Sequence, residues 1–156
     1  MDTVGPVLQA VLTAADLALQ ECSRPVSLVT LSPGSSVVWD DCCNGEVWVR
    51  LISMTPNTPS PGTPLSDVTV TAAVGVVRCL HGMEDDGSPP TASEMTEDTL
   101  GQLADADALL AALVDLVPGP NTRNLTVTSG LPLGPQGYCG GFEWTFTFRQ
   151  LLCLGC

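Results

Sequence analysis

The chain has 156 residues, enough for one domain with one core, and sets 17 acidic residues against five arginines with no lysine, for a net charge of −12. So few cations leave little with which to neutralise phosphates, which argues against direct nucleic-acid binding and suits a surface past which DNA slides without sticking. Only 14% of residues are charged and 44% are hydrophobic, against roughly 25% charge in an ordinary soluble domain, so some apolar surface is expected to stay exposed or to meet a partner.

No apolar run approaches the ~20 residues of a membrane span. Residues 1–22 carry Asp2, Asp16 and Glu21 and lack the basic start of a signal peptide. Synthesis in the cytoplasm without a membrane is therefore expected, with Cys22, Cys42, Cys43, Cys79, Cys139, Cys153 and Cys156 held as thiols.

Leu8, Val11, Leu12, Ala15, Leu19 and Cys22 recur at steps of three and four, with Gln9, Thr13, Asp16 and Gln20 opposite. This predicts an amphipathic helix over 5–22, with Asp2 or Thr3 as cap and a stop at Ser23-Arg24-Pro25. Val26 to Leu31 is a short β-prone run closed by Ser32-Pro33-Gly34. Val37-Val38-Trp39 is a further strand or a ragged edge, and Asn44-Gly45 suits a tight hairpin turn. From Glu46 to Met54, Val47, Val49 and Leu51 alternate with Trp48, Arg50 and Ile52, a strand with both faces covered.

Residues 55–66 hold four prolines and no large apolar residue before Leu65, and read as a loop or arm. Asp67 to Cys79 is the longest strand, with Val68, Val70, Ala72, Val74 and Val76 facing one way; it is expected at the sheet centre, in a hairpin with the strand before it. An acidic loop over 80–90 follows. Thr91-Ala92-Ser93-Glu94 is a capping box opening a helix over 92–117, with Met95, Leu103, Leu110, Leu113, Val114 and Val117 on its apolar side against Asp98, Asp105 and Asp115. Leu125 to Leu131 is a strand broken by Pro132. In the last strand Phe142, Trp144, Phe146 and Phe148 alternate with Glu143, Thr145, Thr147 and Arg149, one face buried and one wet. The expected fold is α+β: one domain over 1–156, one mainly antiparallel twisted sheet, two helices on one face, in the order α-β-β-β-α-β-β.

Chemistry is sparse. His81 is the one histidine, and with Cys79 two residues away it lacks a visible orienting group, so a solvated loop histidine competes with a nucleophile–base pair. Cys42, Cys43, Cys79 and Cys139 stand on three segments that a sheet can gather, as metal ligands, as a disulfide formed after release from the cell, or as thiols. Adjacent cysteines share one ion poorly, and Cys153 and Cys156 lack a matching second pair. Gly134-Pro135-Gln136-Gly137 has no lysine or helix start for a phosphate. Glu84-Asp85-Asp86 lacks the alternation of a calcium loop and reads as a solvated turn. No catalytic, cofactor-binding or metal residue is assigned, and the chain is read as non-enzymatic.

Three blocks resemble a family: Asp41-Cys42-Cys43-Asn44-Gly45-Glu46-Val47-Trp48-Val49-Arg50, Val74-Gly75-Val76-Val77-Arg78-Cys79, and Gly134 through Trp144 (GPQGYCGGFEW). Over roughly residues 5–150 the chain is similar to head-to-tail connector proteins of actinobacterial siphophages, most of all to tail terminators. The resemblance implies a small α+β virion protein of the tail and neck, assembled in the host cytoplasm. It would form a homo-oligomeric, hexameric ring on the last ring of the major tail (tube) protein and dock the stopper or connector of the head. DNA would pass through the lumen without specific binding, and no active site or cofactor is implied. By position, the arm over 55–66, the loop over 80–90 and the tail over 151–156 are candidates for contact between subunits. The rival readings are another connector component, such as a mostly helical adaptor or a mostly β stopper, and a cellular ligand-binding domain, which a deep polar pocket would favour.

Overall fold

The computed structural model describes residues 4–34, 37, 39, 42–57 and 65–153. The cap expected at Asp2 or Thr3, most of the proline-rich arm and the last three residues of the tail lie outside them, as do parts of the 35–41 segment.

Helix α1 (Val4–Glu21) buries Leu8, Val11, Leu12, Ala15 and Leu19, the predicted stripe except for Cys22, which follows the helix and is exposed. Strand β1 (Leu28–Ser32) is followed by a 3₁₀ turn (Cys42–Asn44), β2 (Glu46–Pro56) and β3 (Leu65–Cys79). Helix α2 (Ala92–Asp115) begins at Thr91, whose side chain accepts from Glu94 N while Glu94 returns a bond to the Thr91 backbone N–H, the predicted capping box. Strands β4 (Thr122–Gln136) and β5 (Cys139–Cys153) complete an α+β fold in the expected order.

The five strands lie in the order β1-β2-β3-β5-β4, with β3 central. Contacts β2–β3, β3–β5 and β4–β5 are antiparallel. β1 pairs with β2 in parallel, so the hairpin expected at Asn44-Gly45 is not formed. Parallel neighbours need a crossover of a dozen or so residues, and the 33–45 segment supplies it. Gly45 still needs its freedom: it sits at φ +82°, closing the 3₁₀ turn beside Val26 and Arg78.

β4 outruns its expected end, continuing through Pro132 and a cis Gly134–Pro135 bond. It is an edge strand, where a missing N–H faces no partner, and three register shifts bend it.

Both helices pack on one face of the sheet. Val47 and Val49, then Val68, Val70, Ala72, Val74 and Val76, then Phe146 and Phe148 meet Leu12, Leu19, Leu109 and Leu113 in one continuous core. Each such side chain contributes roughly 1.5–3 kcal/mol on leaving water. The opposite face carries a smaller cluster of Trp48, Val77 and Cys42, with Val37, Trp39, Leu133 and Cys139 packed against it. The crossover residues Val37 and Trp39 thus cover part of the face that the helices leave bare.

Candidate functional site

Two polar clusters that the sequence pattern hid prove to be fastenings. Asp105, expected on the wet side of α2, is only 2% exposed. It receives Arg24 Nε at 2.6 Å and Arg78 Nε at 2.7 Å, each arginine adding a second bond at 3.1 Å. Arg78 also donates to the carbonyls of Arg24 and Pro25, tying α2 to β3 and to the α1–β1 link. The Asp105 carboxylate raises the Arg24 pKa through its hydrogen bond.

On the opposite face Glu143, expected to be wet, is 8% exposed. Its register row is Trp48–Gly75–Glu143. With no side chain at Gly75, the Trp48 ring lies across the strand there and its Nε1 donates to Glu143 Oε2 at 3.1 Å. Arg50 completes the cluster with Nη2–Oε1 at 2.6 Å and Nε–Oε2 at 2.9 Å, and its pKa is raised by that bond. A period-2 pattern places Glu143 on the outer face and is silent about what covers that face.

The Asp105 fastening changes the helix too. With Asp105, Ala106, Ala108, Leu109 and Leu113 turned inward, the apolar side predicted for α2 is largely outside. Met95, Leu103 and Val117 are exposed, Leu100 is 61% and Val114 70% exposed, and Leu110 is half-buried; only Leu113 of the expected set is in the core. Beside this stripe the helices leave an apolar groove of about 350 Å³ lined by Ala14, Leu17, Ala18, Ala111, Ala112 and Val117.

His81 and Cys79 are not brought together. Cys79 is in a disulfide, and His81 Nδ1 lies 2.8 Å from Asp98 Oδ1 while its backbone N–H donates to Asp98 Oδ2 at 2.9 Å. Hydrogen bonding to Asp98 raises the imidazole pKa, with the charges of Asp98, Glu94 and Glu97 adding to it against partial desolvation. The polar hollow beside it, about 240 Å³, also takes in Gln102 and the Arg24–Asp105–Arg78 triad. A histidine oriented by a carboxylate is half of a nucleophile-activating pair, but among the described residues lining this hollow there is no free thiol or hydroxyl to activate.

Glu84-Asp85-Asp86 forms the expected turn: Asp86 Oδ1 accepts from Ser88 N and Oγ, which lowers the Asp86 pKa, and Gly87 N–H donates to Glu84 O. Gly137 and Tyr138 make the β4–β5 turn, not a phosphate cradle.

The cysteines depart most from expectation. Cys42 bonds to Cys139 and Cys43 to Cys79, while Cys22 is free and exposed. The expectation of thiols is corrected for these four, because the crossover sets the 3₁₀ turn directly over the paired positions Cys79 and Cys139.

Of the five arginines, four are matched to acids: Arg24 and Arg78 to Asp105, Arg50 to Glu143, and Arg149 to Asp67. Arg123 is exposed, directly opposite Arg149 across β4 and β5, with no acidic partner among the described residues. The two line a cleft of about 330 Å³ with Asn121, Asn124 and Asp67. Like charges facing each other across a sheet are destabilising unless something negative enters between them.

No protein-family model matches the chain, and no curated protein matches it. No helix among the described residues is long and apolar enough to cross a membrane.

Proposed function

We propose that the chain is a structural subunit of a siphophage neck, a tail terminator that closes into a homo-oligomeric ring on the end of the tail tube and presents the face on which the head connector docks. It is not an enzyme in this reading. The work is geometric, and the ring's acidic lumen lets DNA pass without binding.

The observation that supports the reading is a pair of unlike edge strands, β1 and β4, on opposite sides of one sheet. At one edge, among the described residues, β1 pairs with β2 and exposes Leu28, Val29 and Leu31, with no proline or charge to discourage pairing. At the other, β4 is bent by register shifts and prolines and carries Arg123 opposite Arg149, on the face away from the helices. A patch that meets a different patch on the next copy makes a heterologous contact, which closes a ring when the rotation divides a full turn; a dimer would need one patch that fits itself. The exposed α2 stripe supplies apolar area, and the Arg123–Arg149 cleft supplies a place for a neighbour's carboxylate in a chain otherwise rich in acid. The three sequence blocks that resemble tail terminators give this contact its setting.

Light scattering on the purified protein, alone and with isolated tail tubes, tests the proposal. A closed oligomer, or a monomer that assembles only on tube ends, is expected. A chain that stays monomeric and leaves tube ends unbound overturns it.

A further inference from the structure

The four gathered cysteines play no part in ring assembly, and the chemistry open to them is independent of it. Cys79 and Cys139 are opposed on neighbouring strands, and the 3₁₀ turn lays Cys42 and Cys43 over them. Their present pairing joins the turn to both strands. Three segments therefore bring four cysteines into one patch, with Cα–Cα distances of 5.7 Å for Cys42–Cys139 and 4.2 Å for Cys43–Cys79.

That arrangement fits more than two disulfides. Zinc–sulfur bonds of about 2.3 Å place the sulfurs of a tetrahedral site a little under ~4 Å apart. Opening each disulfide to that separation asks each sulfur to move by roughly 1 Å. Along an extended strand, adjacent cysteines point oppositely and share an ion poorly. On this 3₁₀ turn Cys42 and Cys43 instead bond to Cys139 and Cys79, which are opposed on neighbouring strands. The surroundings suit a closed site: Cys42 is 6% exposed and packs with Trp39, Trp48 and Val77, whereas Cys43 and Cys79 are exposed and leave an entry path. As the chain stands, with these four cysteines paired in disulfides, no group of three or more histidine, cysteine or carboxylate residues among the described residues is placed to hold a metal ion.

We propose that in the reduced chain Cys42, Cys43, Cys79 and Cys139 bind one thiophilic divalent cation of the zinc class as a closed four-thiolate site, the two disulfides being its oxidised form. Oxidation transfers four electrons, two for each S–S bond made, to an acceptor of the disulfide or dioxygen class and releases the cation. Two equivalents of a dithiol reverse it: each is oxidised to its own disulfide, four cysteine thiols form, and their protons leave as the cation binds. The protein then has a metal-closed clasp where thiols persist and a covalent clasp where they do not.

The test uses the full chain carrying Cys22→Ser, Cys153→Ser and Cys156→Ser, so that the only thiols are those of the cluster. It is reduced anaerobically with a phosphine, given zinc, freed of excess by gel filtration, and assayed for zinc and for thiols open to an alkylating reagent. About one zinc per chain is expected, with the four thiols alkylated at least about tenfold more slowly than in the metal-free chain. Adding Cys43→Ser and Cys79→Ser is expected to abolish both effects. If the reduced, metal-free chain unfolds, zinc is expected to restore its circular dichroism. A folded reduced chain without zinc, an unfolded one that zinc does not rescue, or zinc retained after both serine substitutions overturns the proposal.

Discussion

The two faces of the sheet are both largely dry, yet they are closed by different forces. Under the helices, Val70, Val74, Phe146 and Phe148 meet Leu12, Leu19, Leu109 and Leu113, and they are held by apolar area and dispersion, which have no preferred direction. On the opposite face the sheet buries a carboxylate, an indole N–H and a guanidinium around Glu143, beside two disulfides. There the covering layer is a crossover segment and not a helix, so it offers few side chains, and directed bonds replace area. A face covered by helices tolerates changes of shape; a face covered by a loop depends on each partner being present.

The largest effects should separate the faces through single and paired substitutions. Phe146→Ala is expected to cost about 3–5 kcal/mol by opening a cavity. Glu143→Ala is expected to cost about 3 kcal/mol, by removing the buried carboxylate to which the Trp48 N–H and the Arg50 guanidinium both donate. Urea unfolding of a second pair of variants tells the two apart. Arg50→Met with Glu143→Leu removes both charges and should recover more than half of the Glu143→Ala loss, since a buried pair is often replaceable by apolar residues of its size. If that pair proves no better than Glu143→Ala, directed bonding is not what closes the outer face. A smaller effect is expected from Gly75→Val, where any side chain meets the buried Trp48 ring. Overpacking there should destabilise by about 1–3 kcal/mol and shift tryptophan fluorescence, while the same volume added at the exposed Gly119 should do neither.

The contrast also explains how much could be read in advance. The helix face is periodic, and periodicity is legible: the stripe of α1, the even residues of β3 and Trp144, Phe146 and Phe148 of β5 fall where their spacing puts them, while Phe142 stays half-buried outside the core. The outer face is made by residues distant in sequence, such as Trp48 and Glu143, which are 95 residues apart. No local pattern marks such a pair. Asp105 misled for the same reason, because its partners Arg24 and Arg78 lie 81 and 27 residues away; counted as polar, it rotated the predicted face of α2 away from the observed one. Cys42 and Cys43 were legible as a pair that a sheet can gather with Cys79 and Cys139. Their partners became definite only once β1 was seen to run parallel to β2, which sends the 33–45 crossover over the strand ends.

The smallest predicted effect lies at the rim of the helix face, where His81 joins the loop after β3 to Asp98 of α2. Its pKa is raised in the folded chain above the ordinary 6.5. The folded state therefore holds that proton more tightly than the unfolded chain does. The resulting stabilisation is fully present below about pH 6.5 and disappears as the pH climbs through the raised folded value. Because the ring is exposed, the effect should be modest and should weaken with salt. Thermal melts of the wild type and His81→Ala across that range are expected to differ most at the acidic end and to converge at the alkaline end. A difference that stays constant with pH would mean that the loop is held by the backbone N–H of His81 alone, and that this rim, like the apolar face it borders, owes nothing to charge.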